Sequence, residues 1–330
     1  MKKIYQRIFT VGITSGAEQI CIFIDAVKFP AEIELMTETL VESTIQLTSL
    51  FLISLSFSDS LNTGSASCFI PDLKSSYSDE DNTLVRNLSG MNLPEKILFV
   101  IDTTRERNCT PFKLSTGASY MPLFMIKRTI ENFIYIKSII QHSHEYALMI
   151  LNSHSSQWIC DFTNNTNSIV NHLNLINDDV LEEDKKSYDF GQMFDEIQRN
   201  LPLPTKEHDT IVPTFVVRVI LVYSRSNSVP KFHIDKRPLD ILTRNPYFFI
   251  DVLYVHEPPC SENLCEEVYS EIAKLDTTNF SYILEVGRNA AKLHDSMAKL
   301  LAHPLQRPPQ KDVCYAICPS PGSQETCNNI

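Results

Sequence analysis

The residues best placed to do chemistry follow the run Ile-Leu-Phe-Val-Ile-Asp, which ends at Asp102. An aspartate at the end of a strand, with hydroxyl side chains two and four residues further on, offers oxygen ligands to a hard divalent cation. Thr104 supplies the first hydroxyl, but Glu106 stands where the second is needed. The stretch after Asp102 therefore predicts only half of a metal site.

The remaining ligands of such a site would come from other loops at the same edge of the sheet, commonly from an aspartate after the fourth strand. Ser224 and Arg225 occupy that place in this sequence. Because an arginine side chain repels a cation, we expect a degenerate metal site in which Asp102 is an ordinary strand-end carboxylate. A metal-dependent ligand-binding module is the alternative interpretation.

Other candidate sites have weaker support. His142 and His144, together with His154, suggest zinc, but no cysteine or carboxylate is spaced to complete the set. The chain has neither the Gly-x-Ser-x-Gly turn of a hydrolase nor the Gly-x-Gly-x-x-Gly turn of a dinucleotide site. The sequence therefore predicts no catalytic residue, no bound metal and no cofactor.

The composition narrows the class of partner. A formal net charge of −11 with no basic stripe would repel a phosphate backbone, so direct nucleic-acid binding is not expected. The apolar run 47–57 is well short of the roughly 20 residues that a membrane helix requires. The 9 cysteines are odd in number and lack framework spacing, which indicates free thiols in a reducing compartment. We therefore expect protein partners, with no membrane and no nucleic acid.

The elements that must position these residues alternate between strand and helix from Pro94 onward. Runs that are apolar on both faces indicate buried parallel strands, and those richest in β-branched and aromatic residues belong at the centre of the sheet. The predicted strands are 97–102, 146–151, 157–162, 215–223, 247–255 and 280–286. This pattern predicts an α/β fold with a Rossmann-like sheet of about six mostly parallel strands and helices on both faces.

Helices are predicted wherever apolar residues recur at a spacing of three and four residues. One begins near Pro122, others cover 169–176, 190–197 and 264–275, and the last covers 290–301. Asp189 and Asn289 are predicted N-caps, and Pro304 follows the last helix. Arg218 lies alone in an apolar strand, which predicts a buried ion pair with a partner that the sequence does not identify.

Composition divides the chain into four parts. Residues 1–57 are apolar without a sustained period, and residues 58–93 are rich in Ser, Asp, Asn and Gly, which predicts a flexible linker. Residues 94–302 are the predicted domain. Residues 303–330 begin with closely spaced prolines and are predicted to be an extended tail, either docked into a groove or disordered.

Three stretches, 216–225, 247–256 and 297–308, resemble a known family. It is that of the von Willebrand factor A-like adaptor subunit of the BRISC and BRCA-A deubiquitinase complexes, the MERIT family. The resemblance covers about residues 94–308 and implies a von Willebrand A-like fold with a degenerate metal site and no enzymatic activity. Residues 1–57 match nothing in that family, and the acidic tail expected past Pro308 is missing.

The resemblance also implies a function. Such a chain would be a scaffold subunit that assembles and stabilises a deubiquitinase complex cleaving non-degradative polyubiquitin chains, in the cytoplasm and nucleus, in receptor signalling and the DNA damage response. Its direct partner would be a subunit built of ubiquitin-E2-variant (UEV) domains, and through it an MPN-fold scaffold and a zinc metalloprotease. A Pro-x-x-Arg element would dock on a UEV domain. The implied partner-binding residues are His303, Pro304, Leu305, Arg307 and Pro308.

Overall fold

The computed structural model describes residues 91–180, 187–204, 212–233, 235–277 and 280–312. The first predicted segment, 1–57, lies outside the described residues, as do most of the predicted linker and the chain past residue 312. No helix in the described ranges has both the length and the apolar character needed to span a membrane.

Six strands form the central sheet. They are β1 (Glu95–Asp102), β2 (Glu145–Leu151), β3 (Ser156–Thr163), β4 (Val216–Tyr223), β5 (Phe248–Val255) and β6 (Ile283–Val286). Their spatial order is β6-β5-β4-β1-β2-β3, and every neighbouring pair is parallel except β2 with β3. Read from the other edge, this is the 3-2-1-4-5-6 order of doubly wound folds. The predicted fold class is confirmed.

In the described part of the chain, six helices cover the two faces of the sheet. They are α1 (Pro122–Ile140), α2 (Thr166–Leu175), α3 (Phe190–Asn200), α4 (Arg237–Thr243), α5 (Cys265–Ala273) and α6 (Ala290–Lys299). Helices α1, α2 and α6 pack on the face that carries Phe99 and Ile220. Helices α3, α4 and α5 pack on the face that carries Leu98 and Leu221. Because both faces are covered, the central strands are apolar on both faces, apart from a few buried charged residues such as Arg218 and Asp251.

The predicted caps are present. The Asp189 side chain accepts a hydrogen bond from the Gly191 amide at the start of α3, and the Asn289 side chain accepts one from the Lys292 amide at the start of α6. The short helix α4 was not predicted, since 7 residues are too few for an apolar period to show. Strand β6 starts at Ile283, later than the predicted residue 280.

Short strand pairs shape the loops beyond the sheet. Thr104–Arg105 pairs with Asp179–Val180, so the chain that leaves β1 is tied to the loop after α2. Phe112–Lys113 pairs with Ser119–Tyr120 in a hairpin, where Gly117 has a φ of 83°, a conformation that favours glycine. These pairings hold the loops next to Asp102 in place.

The chain after α6 stays on the domain. Residues 303–312, which we call the strap, form turns and a short 3₁₀ helix, Gln310–Asp312. His303, Leu305 and Arg307 are buried, so this part of the predicted tail is folded and not extended. At the other end, Met91 and Leu93 pack against the core, so the last residues of the predicted linker also belong to the folded part. Residues on both sides of the predicted 94–302 domain therefore pack on it, and the division of the chain into four parts stays a prediction.

Candidate functional site

The carboxyl-terminal edge of the sheet brings the predicted metal-site residues together. Asp102 ends β1 and is 1% exposed. Its carboxylate accepts hydrogen bonds from the amides of Thr104 and Ser224, both at 3.2 Å. It also accepts from Nε of Arg225 at 3.1 Å to each oxygen. Both oxygens of Asp102 are therefore engaged by groups of this chain.

Arg225 is wholly buried beside that carboxylate. Its Nη2 donates to the backbone carbonyl of Asn152 at 2.8 Å, and its guanidinium lies 4.0 Å from the centroid of the Tyr188 ring. Burial opposes the charged form of Arg225, but the attraction of Asp102 outweighs it and raises the arginine pKa above its ordinary value. A fixed guanidinium thus neutralises the carboxylate that a metal ion would otherwise use.

Glu106 ties two loops together. Its carboxylate accepts hydrogen bonds from the amides of Ser226 at 2.8 Å and Asn227 at 2.9 Å. These bonds join the loop after β1 to the loop after β4. In place of a hydroxyl that could face an ion, this position holds a carboxylate directed at backbone donors.

A depression of about 330 Å³, including space open to solvent, lies beside this edge. Its walls carry charged groups already in pairs, such as Glu257 with Arg288 at 2.5 Å. Cys109 also lines it, and burial raises the pKa of that thiol to about 11. A thiol with that pKa is not a nucleophile near neutral pH. The depression therefore offers neither an activated nucleophile nor the apolar walls that small-molecule pockets usually have.

The three histidines considered as zinc ligands have different surroundings. His144 is buried and its Nδ1 accepts from the Glu95 amide at 2.9 Å, while His142 and His154 are exposed. Within the described ranges, no group of three or more His, Cys, Asp or Glu side chains is placed to hold a metal ion. The cysteines in those ranges, Cys109, Cys160, Cys260 and Cys265, are free thiols.

Arg218 has two carboxylate partners near the opposite edge of the sheet. Arg218 Nε donates to Asp251 at 2.7 Å and Arg218 Nη1 donates to Glu95 at 3.1 Å, and all three side chains are wholly buried. Lys137 lies 2.5 Å from Glu95 and donates to the carbonyl of Leu301 at 2.8 Å. The sequence predicted an ion pair for Arg218, and the structure shows a network.

We call Glu95, Lys137, Arg218, Asp251 and Arg307 the amino-end cluster. Burial would raise the pKa of the Glu95 carboxyl, but the attraction of Lys137 first, and of Arg218 with it, holds that pKa well below its ordinary value. Burial acts on Asp251 in the same way, and Arg307 and Arg218 lower its pKa. Both carboxylates are therefore ionised, which is how a buried charge cluster is stabilised.

The strap closes this cluster. Arg307 donates to Asp251 through Nη1 at 3.0 Å and through Nη2, which also donates to the carbonyl of Phe280 at 2.8 Å. Its guanidinium lies 3.9 Å from the centroid of the Tyr282 ring. Leu305 packs with Val216, Tyr247 and Phe249 in a separate apolar cluster.

His303 fixes the turn of the strap. Its Nδ1 accepts from the Leu305 amide at 3.1 Å, which leaves Nε2–H to donate to the carbonyl of Leu93 at 3.1 Å. Burial lowers the pKa of His303 to about 4, as it does for His144. Both imidazoles are therefore neutral near neutral pH.

The five predicted partner-binding residues now have distinct positions. His303, Pro304, Leu305 and Arg307 are buried against the domain, and Pro308 is exposed. Partner binding by this element stays a prediction, and in the free chain the side chain available for it is that of Pro308. Nothing in the sequence directly indicated that Arg307 is buried. The one related indication was Arg218, a charged residue in an apolar strand whose partner the sequence does not identify.

The chain is similar in sequence to known proteins. No protein-family model matches. The chain is 32% identical over 231 residues to BRISC and BRCA1-A complex member 1 of Xenopus laevis, with 69% of each chain covered. It is 33% identical over 233 residues to the protein of that name from Homo sapiens, again with 69% of each covered. The protein of that name from Danio rerio is 32% identical over 236 residues, covering 69% of this chain and 61% of that one.

Solved structures with a similar course of the chain include the SpRpn10 VWA domain, at 12% identity and a TM-score of 0.39, covering 65% of this chain and 97% of that one. Another is BatB from Bacteroides thetaiotaomicron, at 14% identity and a TM-score of 0.40, covering 63% and 98%. The fold class itself rests on the strand order and directions given above. The sequence relatives decide the family: this chain belongs to the family of BRISC and BRCA1-A complex member 1.

Proposed function

We propose that this chain is a non-enzymatic scaffold subunit that assembles and stabilises a deubiquitinase complex. The observation that carries the proposal is the Asp102–Arg225 pair, which fills the edge of the sheet where a doubly wound fold usually holds its ligand. Burial leaves the Cys109 thiol beside this edge unactivated, which favours a holding role over catalysis, and the names of the relatives indicate membership of a complex. A fold devoted to holding partners fits both facts.

The finer parts of the proposal follow from family membership. We infer that the chain contacts a UEV-domain subunit, and through it an MPN-fold scaffold and a zinc metalloprotease that cleaves non-degradative polyubiquitin chains. The same inference places it in cytoplasmic complexes that act in receptor signalling and in nuclear complexes that act in the DNA damage response. The formal net charge of −11 supports protein partners over direct contact with DNA.

The test is capture of the complex with the full chain carrying an affinity tag. We expect the captured material to cleave polyubiquitin in a manner abolished by a zinc chelator, and mass spectrometry to identify UEV-domain and MPN-fold subunits. The isolated chain made in bacteria should show no such cleavage. Polyubiquitin cleavage by the isolated chain, or capture without those subunits, would refute the scaffold function.

A further inference from the structure

One hydroxyl in the loop after β1 has the sequence neighbours that protein kinases recognise. Thr110 is exposed, Pro111 follows it, and the exposed Arg107 stands three residues before it. Kinases select a hydroxyl by the charges around it and, in the proline-directed class, by a proline directly after it. Ser320–Pro321 is the other pair of this kind in the sequence, and it has no arginine or lysine three residues before it. Thr110 therefore joins both signals.

The backbone around Thr110 suits an enzyme that grips an extended peptide. Residues 109–111 belong to no helix or strand, and a residue before proline is biased towards an extended conformation. The Cys109 amide donates to the Glu106 carbonyl at 3.2 Å. The amide of Thr110 donates to the Glu257 carboxylate at 2.8 Å, and the Thr110 hydroxyl donates to the same carboxylate. Opening such loop bonds costs much less free energy than unfolding the domain.

Glu257 ties this loop to other elements of the carboxyl-terminal edge. Its carboxylate accepts from Nε of Arg288 at 3.1 Å and from Nη2 at 2.5 Å, and its amide donates to the Ser226 hydroxyl at 2.9 Å. Thr110 donates to this carboxylate only while its hydroxyl keeps a proton. A phosphoryl group on the same oxygen brings negative charge and acceptor oxygens, so it would repel Glu257 and attract Arg288.

Arg288 is already placed beside the segment that carries Thr110. Its Nη2 lies 3.8 Å from Sγ of Cys109, and its guanidinium lies 5.6 Å from the centroid of the Phe112 ring. The side chain is 7% exposed, so water screens its charge poorly. A planar guanidinium in this position can form paired hydrogen bonds with phosphate oxygens.

We propose that Thr110 is a phosphorylation site for a proline-directed protein kinase, and that the phosphoryl group exchanges the Thr110–Glu257 bond for a pair with Arg288. In the transfer, Oγ1 of Thr110 attacks the γ-phosphorus of ATP, and the bond from that phosphorus to the bridging oxygen of the ADP leaving group breaks. The hydroxyl proton passes to the catalytic carboxylate of the kinase. The loop after β1 is thereby released from the end of β5.

The site is tested with the purified full chain, ATP and a proline-directed kinase, in a Ser320→Ala background. Mass spectrometry should find phosphate on Thr110 and on the serine of Thr110→Ser. Phosphate incorporation should fall by about tenfold or more in Thr110→Val and in Pro111→Ala, which keeps the hydroxyl. Thr116→Val is the matched control, because it alters an exposed threonine with no proline after it. Undiminished phosphorylation of Pro111→Ala, or no phosphate on Thr110, overturns the site.

The exchange of partners is tested by thermal melting of the phosphorylated and unmodified chains. Phosphorylation should lower the melting temperature by about 3 °C, as expected for the net loss of a hydrogen bond in a domain of this size. The fall should be smaller in Glu257→Gln, which removes the repelled charge, and larger in Arg288→Gln, which removes the new partner. Asp195→Ala, which breaks an exposed ion pair with Arg199, should leave the fall unchanged.

A fall of the same size in Glu257→Gln, Arg288→Gln and the native chain, or no fall in the native chain, refutes the exchange. Both measurements use the free chain, so neither outcome depends on capture of a deubiquitinase complex.

Discussion

The two edges of the sheet carry charge in different ways. At the carboxyl-terminal edge, Asp102 and Arg225 form a single pair completed by backbone groups, next to a depression open to solvent. Near the amino-terminal edge, the amino-end cluster joins two carboxylates to three cations. These five residues come from three strands, one helix and the strap. At one edge, an internal ion pair occupies the place where doubly wound folds usually hold a ligand. At the other, a buried ion network connects residues that are far apart in the sequence.

The difference has a physical consequence. A single buried pair depends on two residues alone, whereas a carboxylate with several donors holds several elements in place at once. Asp251 accepts from Arg218, Arg307 and the Tyr282 amide, so it joins β4, the start of β6 and the strap. A substitution in the amino-end cluster should therefore destabilise more elements of the domain than a substitution at the carboxyl-terminal edge.

The largest effect is expected from Asp251→Ala, which leaves two buried arginines without a shared acceptor. We expect the free energy of unfolding to fall by about 5 kcal/mol, the upper end for removal of one partner from a buried pair. Denaturant unfolding followed by circular dichroism measures it. The control is Asp195→Ala, which removes an exposed pair with Arg199 and should cost under about 1 kcal/mol.

A smaller loss, about 3 kcal/mol, is expected from Asp102→Ala at the opposite edge. Arg225 would lose its carboxylate but keep the Asn152 carbonyl and the Tyr188 ring. The same denaturant measurement applies. If Asp102→Ala costs as much as Asp251→Ala or more, the two edges do not differ as proposed.

Sequence reasoning was successful where the signal is local. Apolar runs identify the strands, and the Asp189 and Asn289 caps follow from residue type and position. The sequence predicted a degenerate metal site at Asp102, because it places an arginine, Arg225, where a cation ligand is expected. Its buried geometry against Tyr188 was not predicted.

The amino-end cluster could not be predicted in the same way. Glu95 and Arg218 are separated by 123 residues, and Arg307 is 56 residues from Asp251. The register of the sheet brings Glu95 near Arg218, and the fold of the strap brings Arg307 to Asp251, but one sequence states neither. The buried side of the strap was not predicted, because closely spaced prolines indicate an extended backbone but not which residues it packs against. Arg218, a charge inside an apolar strand, was the available signal.

The pH dependence of stability sharpens the comparison, because the neutral histidines lie beside the amino-end cluster. The pKa of His303 is 6.5 in its ordinary state and about 4 when buried. Below its ordinary pKa the unfolded chain binds a proton that the folded chain does not, so stability is complete above that value and falls as pH drops toward the folded pKa. One such histidine costs about 2 kcal/mol between about pH 7 and about pH 5.

The variant His303→Asn removes this contribution and keeps an acceptor for the Leu305 amide. Its free energy of unfolding should therefore fall less than that of the native chain over the same pH range, by about 2 kcal/mol. His144→Asn tests the second buried imidazole in the same way. An identical pH dependence in native chain and variant would mean that His303 is already accessible to solvent, and that the strap does not close the cluster.

The smallest effect is expected from divalent cations at the carboxyl-terminal edge. A site with a dissociation constant one hundredth of the added concentration would stabilise the fold by about 2.7 kcal/mol, which raises the melting temperature of a domain of this size by about 5 to 10 °C. Since both oxygens of Asp102 already accept from Arg225, magnesium or calcium would first have to displace a buried guanidinium. We therefore expect a shift below about 1 °C and no saturable heat in calorimetry. Arg225→Ala is the informative companion, because it frees the carboxylate without changing the other residues of the edge. Saturable binding to the native chain that Asp102→Ala abolishes would make this edge a metal-dependent ligand site, and both edges would then be functional.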